Sequence, residues 1–222
     1  MRSLKLSALT CTALLLGGCA TLDQASSSLS CMLARVTGSA DASCGDGDAS
    51  EGGGTLQTAP GDRFDKLQTV LDQEAQHARQ AQERAVAAMQ KLPTNQRAVA
   101  GPVRMLNVNI ADSQNQNRTR TMSTLDSVTV DMPLAAKGRA EYTQAMDELK
   151  NLANKLADNR GASTISVEQA DADIKARRVN TASGITKSPN GNPVNVLKNG
   201  SSNLPAGVER YTIKAGEIRG KL

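Results

Sequence analysis

Aromatic side chains are almost missing from this sequence: of 222 residues only Phe64, Tyr142 and Tyr211 are aromatic, and there is no tryptophan. Aromatics bring the largest buried areas to a core, so this scarcity excludes a large aromatic-rich globule and leaves a small aliphatic core. One modest domain of roughly 100–120 residues is expected, with the remaining chain in a tether and a helix. Histidine is nearly absent as well. His77 is the single one, and it falls off the apolar seam described below, where it reads as a solvated side chain. No Gly-rich phosphate loop, catalytic triad pattern or metal-ligand spacing stands in the chain. The aromatic platforms on which glycosidases commonly seat sugar rings are missing too. A non-catalytic protein with no cofactor and no metal is the expectation, although a carboxylate pair on separate segments stays open.

Charge of one sign is also lacking in strength. The formal charge is +4 over the whole chain. Residues 1–18 contain Arg2 and Lys5 and no acid, so their removal leaves about +2, too little to argue for nucleic acid as a partner. A full-length transmembrane run is missing at the N-terminus. The apolar stretch from Leu6 to Leu16 has eleven residues, about half of what a membrane-spanning helix needs. With Arg2 and Lys5 before it and small residues after it, this stretch describes an export signal.

The signal ends in Leu16-Gly17-Gly18-Cys19, which resembles the lipobox of bacterial lipoproteins. Small residues before the thiol let the backbone fit a signal peptidase, and Gly17 and Gly18 supply them. The resemblance implies cleavage before Cys19, lipidation of its thiol, and anchoring of the mature chain. Two or three acyl chains hold a protein stably where one does so only marginally. Ala20, in place of the aspartate that marks retention at the inner membrane, implies sorting to the outer membrane, facing the periplasm. On this resemblance residues 1–18 are expected to be a lipoprotein signal peptide.

Residues 19–61 read as a lipidated flexible tether, rich in Ser, Gly, Ala and Asp and marked by Ser26-Ser27-Ser28 and Gly52-Gly53-Gly54. Such a coil has a root-mean-square reach of roughly 35 Å. Cys31 and Cys44 remain after processing, in an oxidising compartment. Twelve residues separate them, and closing that loop is worth about 3 kcal/mol where the geometry permits. A disulfide is expected, with free thiols and intermolecular links as the alternatives. Two cysteines without nearby histidines do not complete a zinc shell.

Residues 62–93 carry a heptad seam: Phe64, Leu67, Leu71, Glu74, Ala78, Ala81, Ala85, Ala88 and Leu92 recur at spacings of three and four. Glu74 is its one charged break. Asp62 is the expected N-cap and Pro93 the stop. Three readings stay open: an Ala-rich helix lying on its own domain, a homo-oligomeric or partner-binding coiled coil through residues 62–92, and a solvated stalk.

Residues 97–222 read as a small α+β domain. Val103 to Ile110 predicts a strand, followed by the polar run Asp112 to Asn117. Ser127 to Met132 alternates with period two and predicts a half-buried strand. A helix is expected from Lys137 to Asp158, with Tyr142, Met146, Leu149, Leu152, Ala153 and Leu156 on one face and Gly161 as its stop. Thr164 to Val167 is the next strand, and Ala170 to Ser183 a second, weaker helix. Turn signals follow at Pro189-Asn190-Gly191 and Asn199-Gly200. Val194–Leu197 and Val208–Ile213 are expected to pair around the latter. The order β-α-β-α-β predicts a small sandwich of helices on a sheet.

Residues 125–214 also resemble the periplasmic OmpA-like domain, a βαβαβ module that binds peptidoglycan. The resemblance lies in Val128-Thr129-Val130-Asp131-Met132-Pro133-Leu134, in Lys137-Gly138-Arg139, in Ile174-Lys175-Ala176-Arg177-Arg178-Val179, and in the closing strand from Val208. In that family an Asp and a helix Arg grip the diaminopimelate group by charge-assisted hydrogen bonds. The resemblance makes Asp171 or Asp173, with Arg177, the candidate ligand-binding group. The family's Gly-x-Thr-Asp loop is replaced here by Val167-Glu168-Gln169-Ala170-Asp171-Ala172-Asp173, and a solvated helix start explains these acids equally well. Two functions follow as expectations. One is a structural or accessory lipoprotein of a secretion, conjugation or pilus assembly that binds envelope proteins. The other is a lipoprotein tying the outer membrane to peptidoglycan.

The mature protein should migrate faster on a non-reducing gel than on a reducing one, with Cys31 and Cys44 resisting alkylation until reduced. Equal mobility with both thiols alkylated would exclude this link.

Overall fold

A computed structural model describes residues 60–111 and 119–218. The signal peptide, Cys19, the Cys31–Cys44 pair and the polar run from Asp112 lie outside the described residues. Within them the architecture is α+β: a six-stranded mixed sheet with two long helices against one face.

The first helix, α1 (Pro60–Met89), begins two residues before the expected cap. Proline at the first helical position has the φ a helix needs and lacks only an N–H that would be unpaired there, so Asp62 stands inside the first turn. The seam faces inward. Phe64, Leu67, Leu71, Ala78, Ala81, Ala85 and Leu92 are buried, and Ala88 is half-buried. Burying a side chain such as Leu71 is worth roughly 1.5–3 kcal/mol. This is the arrangement of an Ala-rich helix lying on its own domain: the seam that would serve self-association is covered within the chain.

Two long strands follow, β1 (Val99–Ala111) and β2 (Thr119–Pro133), paired antiparallel. They are longer than the period-two segments suggest because polar residues such as Thr121, Ser123 and Thr124 continue β2. Two register shifts break the ladder. At the first, Gly101 and Pro102 lie opposite Thr129. A Cβ on Gly101 would come within 2.9 Å of the Thr129 side chain, so only glycine fits. The Gln82 amide of α1 reaches down and donates to the carbonyls of Gly101 (2.9 Å) and Thr129 (2.7 Å), fastening the helix over the bulge.

The second helix, α2 (Ala140–Arg160), ends at Gly161, which takes the left-handed conformation (φ 76°) that a C-terminal stop favours. Its buried face is Tyr142, Ala145, Leu149, Leu152, Ala153, Leu156 and Ala157, close to the predicted stripe. Strand β3 (Ser163–Ala170) leads into α3 (Asp171–Lys175). The expected helix to Ser183 stops here after five residues. Arg177 turns to φ 54°, its N–H donates to the Ile174 carbonyl, and the Arg178 N–H donates to Asp173. That is a Schellman stop with arginine where glycine is usual.

Strands β4 (Gly184–Lys187), β5 (Pro193–Ser201) and β6 (Val208–Ala215) complete the sheet in the order β1-β2-β6-β3-β5-β4. Only β3 and β5 run parallel; the other neighbours are antiparallel. The expected pairing of Val194–Leu197 with Val208–Ile213 is not formed, because β3 lies between β5 and β6. Asn199-Gly200 belongs to β5 itself, whereas Pro189-Asn190-Gly191 makes the β4–β5 turn, with Gly191 at φ 85°.

Alternation along β3 and β6 sets the two faces. Ile165, Val167, Tyr211 and Ile213 enter the helix-side core, which α1 and α2 share with Val128, Val130 and Met132 of β2. A satellite cluster of Phe64, Leu67, Val70, Leu71, Ile110 and Met122 sits under the first turns of α1. The charged break in the seam has a partner. Glu74, 4% exposed, forms a bidentate pair with Arg160, 2% exposed, at the end of α2. The remaining guanidinium N–H groups donate to Thr124 Oγ1 (2.6 Å) and to the carbonyls of Leu125 (3.3 Å) and Gly216 (3.0 Å).

Removing one member of such a pair strands a buried charge and costs about 3–5 kcal/mol, whereas apolar replacement of both is often neutral. Urea unfolding should therefore show Glu74→Ala strongly destabilised, and Glu74→Leu with Arg160→Met much closer to the parent. A double variant as unstable as the single one would contradict this account.

Candidate functional site

Three polar constellations stand out: the sheet face turned away from the helices, a buried carboxylate at one end of the sheet, and the turn around α3.

On β2, β6 and β3 the residues between the core positions point away from α1 and α2. Register places Asp131 beside Arg210 and Arg210 beside Glu168, one side chain on each of three adjacent strands. Arg210 grips Asp131 with two hydrogen bonds (2.7 and 2.9 Å) and lies 3.8 Å from Glu168. The hydrogen bond and charge of Asp131 raise the guanidinium further above its ordinary value. Thr129 and Thr212 share a hydroxyl bond of 3.2 Å beside them. Arg104, Asp126 and Lys214 carry the charged row onward, around a shallow concavity of about 320 Å³. The lining is polar and carries both signs of charge, so the groups it offers are hydrogen-bond donors, acceptors and ion-pair partners.

The buried carboxylate is Glu209, 2% exposed, on the helix side of β6. Its Oε1 accepts from Gln169 Nε2 (2.8 Å). Its Oε2 accepts from Lys137 Nζ (3.1 Å), Tyr142 Oη (3.2 Å) and Tyr211 Oη (2.9 Å). Both tyrosines of the chain are thus spent on one carboxylate, and their hydroxyls also lie 3.0 Å apart. Burial alone would raise the Glu209 pKa, but hydrogen bonds from Gln169, Lys137 and Tyr211 outweigh it and hold the group below its ordinary value. Burial raises both phenols, so they stay protonated donors. A carboxylate so held is stabilised as the anion and is a weak proton acceptor. Gln169 also donates to the Asn180 carbonyl (3.0 Å), which draws the loop after α3 onto the sheet.

The sequence-derived group separates in space by role. Asp173 is buried, and its carboxylate accepts from the Gly207 N–H (2.7 Å) with Arg178 at 3.5 Å. Asp171 is exposed and lies so close to Gly200 that a Cβ there would meet its Oδ1 at 2.6 Å. Arg177 is exposed on its left-handed backbone. Asp173 therefore serves the turn before β6, which leaves Asp171 and Arg177 as the group's exposed members. His77 is exposed, with its pKa lowered by partial burial and by the charges of Lys155 and Arg84.

Sequence reasoning passed over Glu209, Gln169, Lys137, Glu168 and Arg210. A signal was present for two of them: Glu209 and Arg210 open a strand whose alternation is Glu-in, Arg-out, Tyr-in, Thr-out, Ile-in.

Because the folded pKa of Glu209 is depressed, its stabilisation is complete above the ordinary glutamate value of 4.5. It is lost as pH falls through the lower folded value. Glu209→Gln should cost about 1–3 kcal/mol at neutral pH and leave a flatter acid limb below pH 4.5 in denaturant titrations. An acid limb identical to the parent's would show that Glu209 does not carry this dependence.

The chain matches no protein-family model, no curated protein sequence and no solved structure at a significant level.

Proposed function

We propose that the chain is a non-catalytic accessory lipoprotein of an envelope assembly, anchored through Cys19 at the periplasmic face of the outer membrane, whose domain binds protein partners. The observation that carries the partner-binding reading is the one-sided sheet. Both long helices lie on one face, and among the described residues no helix or strand covers the charged row Asp131–Arg210–Glu168 on the other. Side chains already neutralised across neighbouring strands keep their register when water leaves, which suits a polar protein interface. The lipobox-like Leu16-Gly17-Gly18-Cys19 supports the anchor.

Wall binding is the second reading, and one observation favours it. The elements β2, α2, β3, α3 and β6 follow one another in the βαβαβ order of the OmpA-like resemblance, with β4 and β5 inserted before the closing strand. Against it stands Asp173, whose carboxylate is committed to Gly207.

Cell fractionation and sedimentation with purified sacculi test both together. The parent chain should fractionate with the outer membrane, Cys19→Ala should leave it, and the mature chain should stay in the supernatant with sacculi. Saturable sedimentation lost in Asp171→Asn or Arg177→Gly would replace partner binding with wall binding. Glycine is chosen at 177 because it suits the left-handed backbone.

A further inference from the structure

The two edges of the sheet differ in how they are guarded. At the β1 edge, Pro102 lacks a donor and a bulge interrupts the ladder, both devices that discourage another strand from adding. The β4 edge has neither. Strand β4 pairs with β5 on one side only, and all four of its residues are exposed. Ile185 is 71% exposed and Leu197 on β5 is 46% exposed. Register puts Ile185 beside Asn195, two residues from Leu197 and on the same face, so they offer an apolar step next to the open ladder.

The segment that carries this edge has charge of one sign, and the acids that approach it come from outside that segment: Asp158, which accepts from Ser188 and Asn192 at the β4–β5 turn, and Asp171 beside Gly200. From Ile174 to Val208 the chain contains Lys175, Arg177, Arg178, Lys187 and Lys198 and no acid. Arg178 approaches Asp173 at 3.5 Å. Among the described residues the other four make no ion pair. Backbone groups free on one side, an apolar step and a basic segment fit one class of ligand: an extended polypeptide that adds as a strand and carries carboxylates. A glycan or a lipid headgroup would use the bases but not the open ladder. A second copy would bring its own β4 bases against these.

We propose that β4 is a strand-addition site for an acidic, extended segment of a partner protein, with an apolar side chain of that segment set against Ile185 and Leu197. This deepens the partner-binding reading above and rests on it. Sedimentation with sacculi tests that reading by itself, whereas the assay below reads the edge alone.

The probe is a fluorescein-labelled peptide of about eight residues alternating Val and Glu, long enough to pair along a short strand, with a Val/Lys peptide as comparator. Added to the full mature chain, the Val/Glu peptide should bind saturably, weaken as salt is raised, and slow amide exchange at residues 184–187. Lys187→Glu with Lys198→Glu should weaken binding about tenfold, the product of two exposed charge contacts. The exchange experiment on the parent chain does not depend on how those variants fold. Equal binding of both peptides, binding of neither, or protection along β1 in place of β4 would overturn the proposal. So would binding seen only after Asp41, Asp46, Asp48 and Glu51 are changed to Ser, since the chain's own acidic segment would then be the occupant.

Discussion

The guanidinium of Arg160 holds both long helices, β2 and the chain after β6 together. Its five N–H donors go to both carboxylate oxygens of Glu74, to Thr124 Oγ1, and to the carbonyls of Leu125 and Gly216. One group thereby ties α1, the end of α2, the bulged part of β2 and the chain leaving β6. Buried pairs of this kind return little net stability, because desolvation offsets most of the attraction. What they supply is a unique arrangement: a helix packed one turn out of register would leave both charges buried and alone. For an alanine-rich α1, whose small side chains fit many registers almost equally well, that discrimination adds to the Gln82 hydrogen bonds and the Phe64–Leu71 cluster in favouring one position.

With α1 and α2 held side by side, they cover one face of the central strands and leave the other open. The consequence shows in the strand alternation. On β6, Glu209, Tyr211 and Ile213 turn inward, while Arg210, Thr212 and Lys214 turn out. Inside, the Glu209 carboxylate accepts from two phenols, the Gln169 amide and the Lys137 ammonium, and these donors make its burial tolerable. Outside, acids and bases alternate across strands and stay half-exposed. The same asymmetry leaves all four residues of β4 exposed, with its backbone open on one side.

Much of the fold was legible in the sequence. A period-two segment gave β2, short strand-like runs gave β3 and β6, and helical spacing gave α1 and α2, because each element buries one face of its own. Short elements were not legible in the same way. The helix expected to reach Ser183 stops after Lys175 in a Schellman turn whose left-handed position is held by Arg177, a residue type that does not announce such a stop. Asn199-Gly200 reads as a turn and is a strand, since parallel pairing with β3 outweighs the local preference of those two residues. The candidate group Asp171, Asp173 and Arg177 was adjacent in sequence; tertiary contacts gave Asp173 to a turn and left the other two at the surface.

By itself the sequence determined an aliphatic core, one long Ala-rich helix, and strands that bury one face. These follow from composition and periodicity, which act locally. Tertiary structure alone decided that Glu74 belongs inside, that both tyrosines converge on Glu209, and that Asp131, Arg210 and Glu168 stand in one row. It also decided that β3 separates β5 from β6 and that β4 ends the sheet. Each of these depends on which strands become neighbours. Neighbours are chosen by how the whole set of apolar faces closes against two helices, not by any segment's own preference.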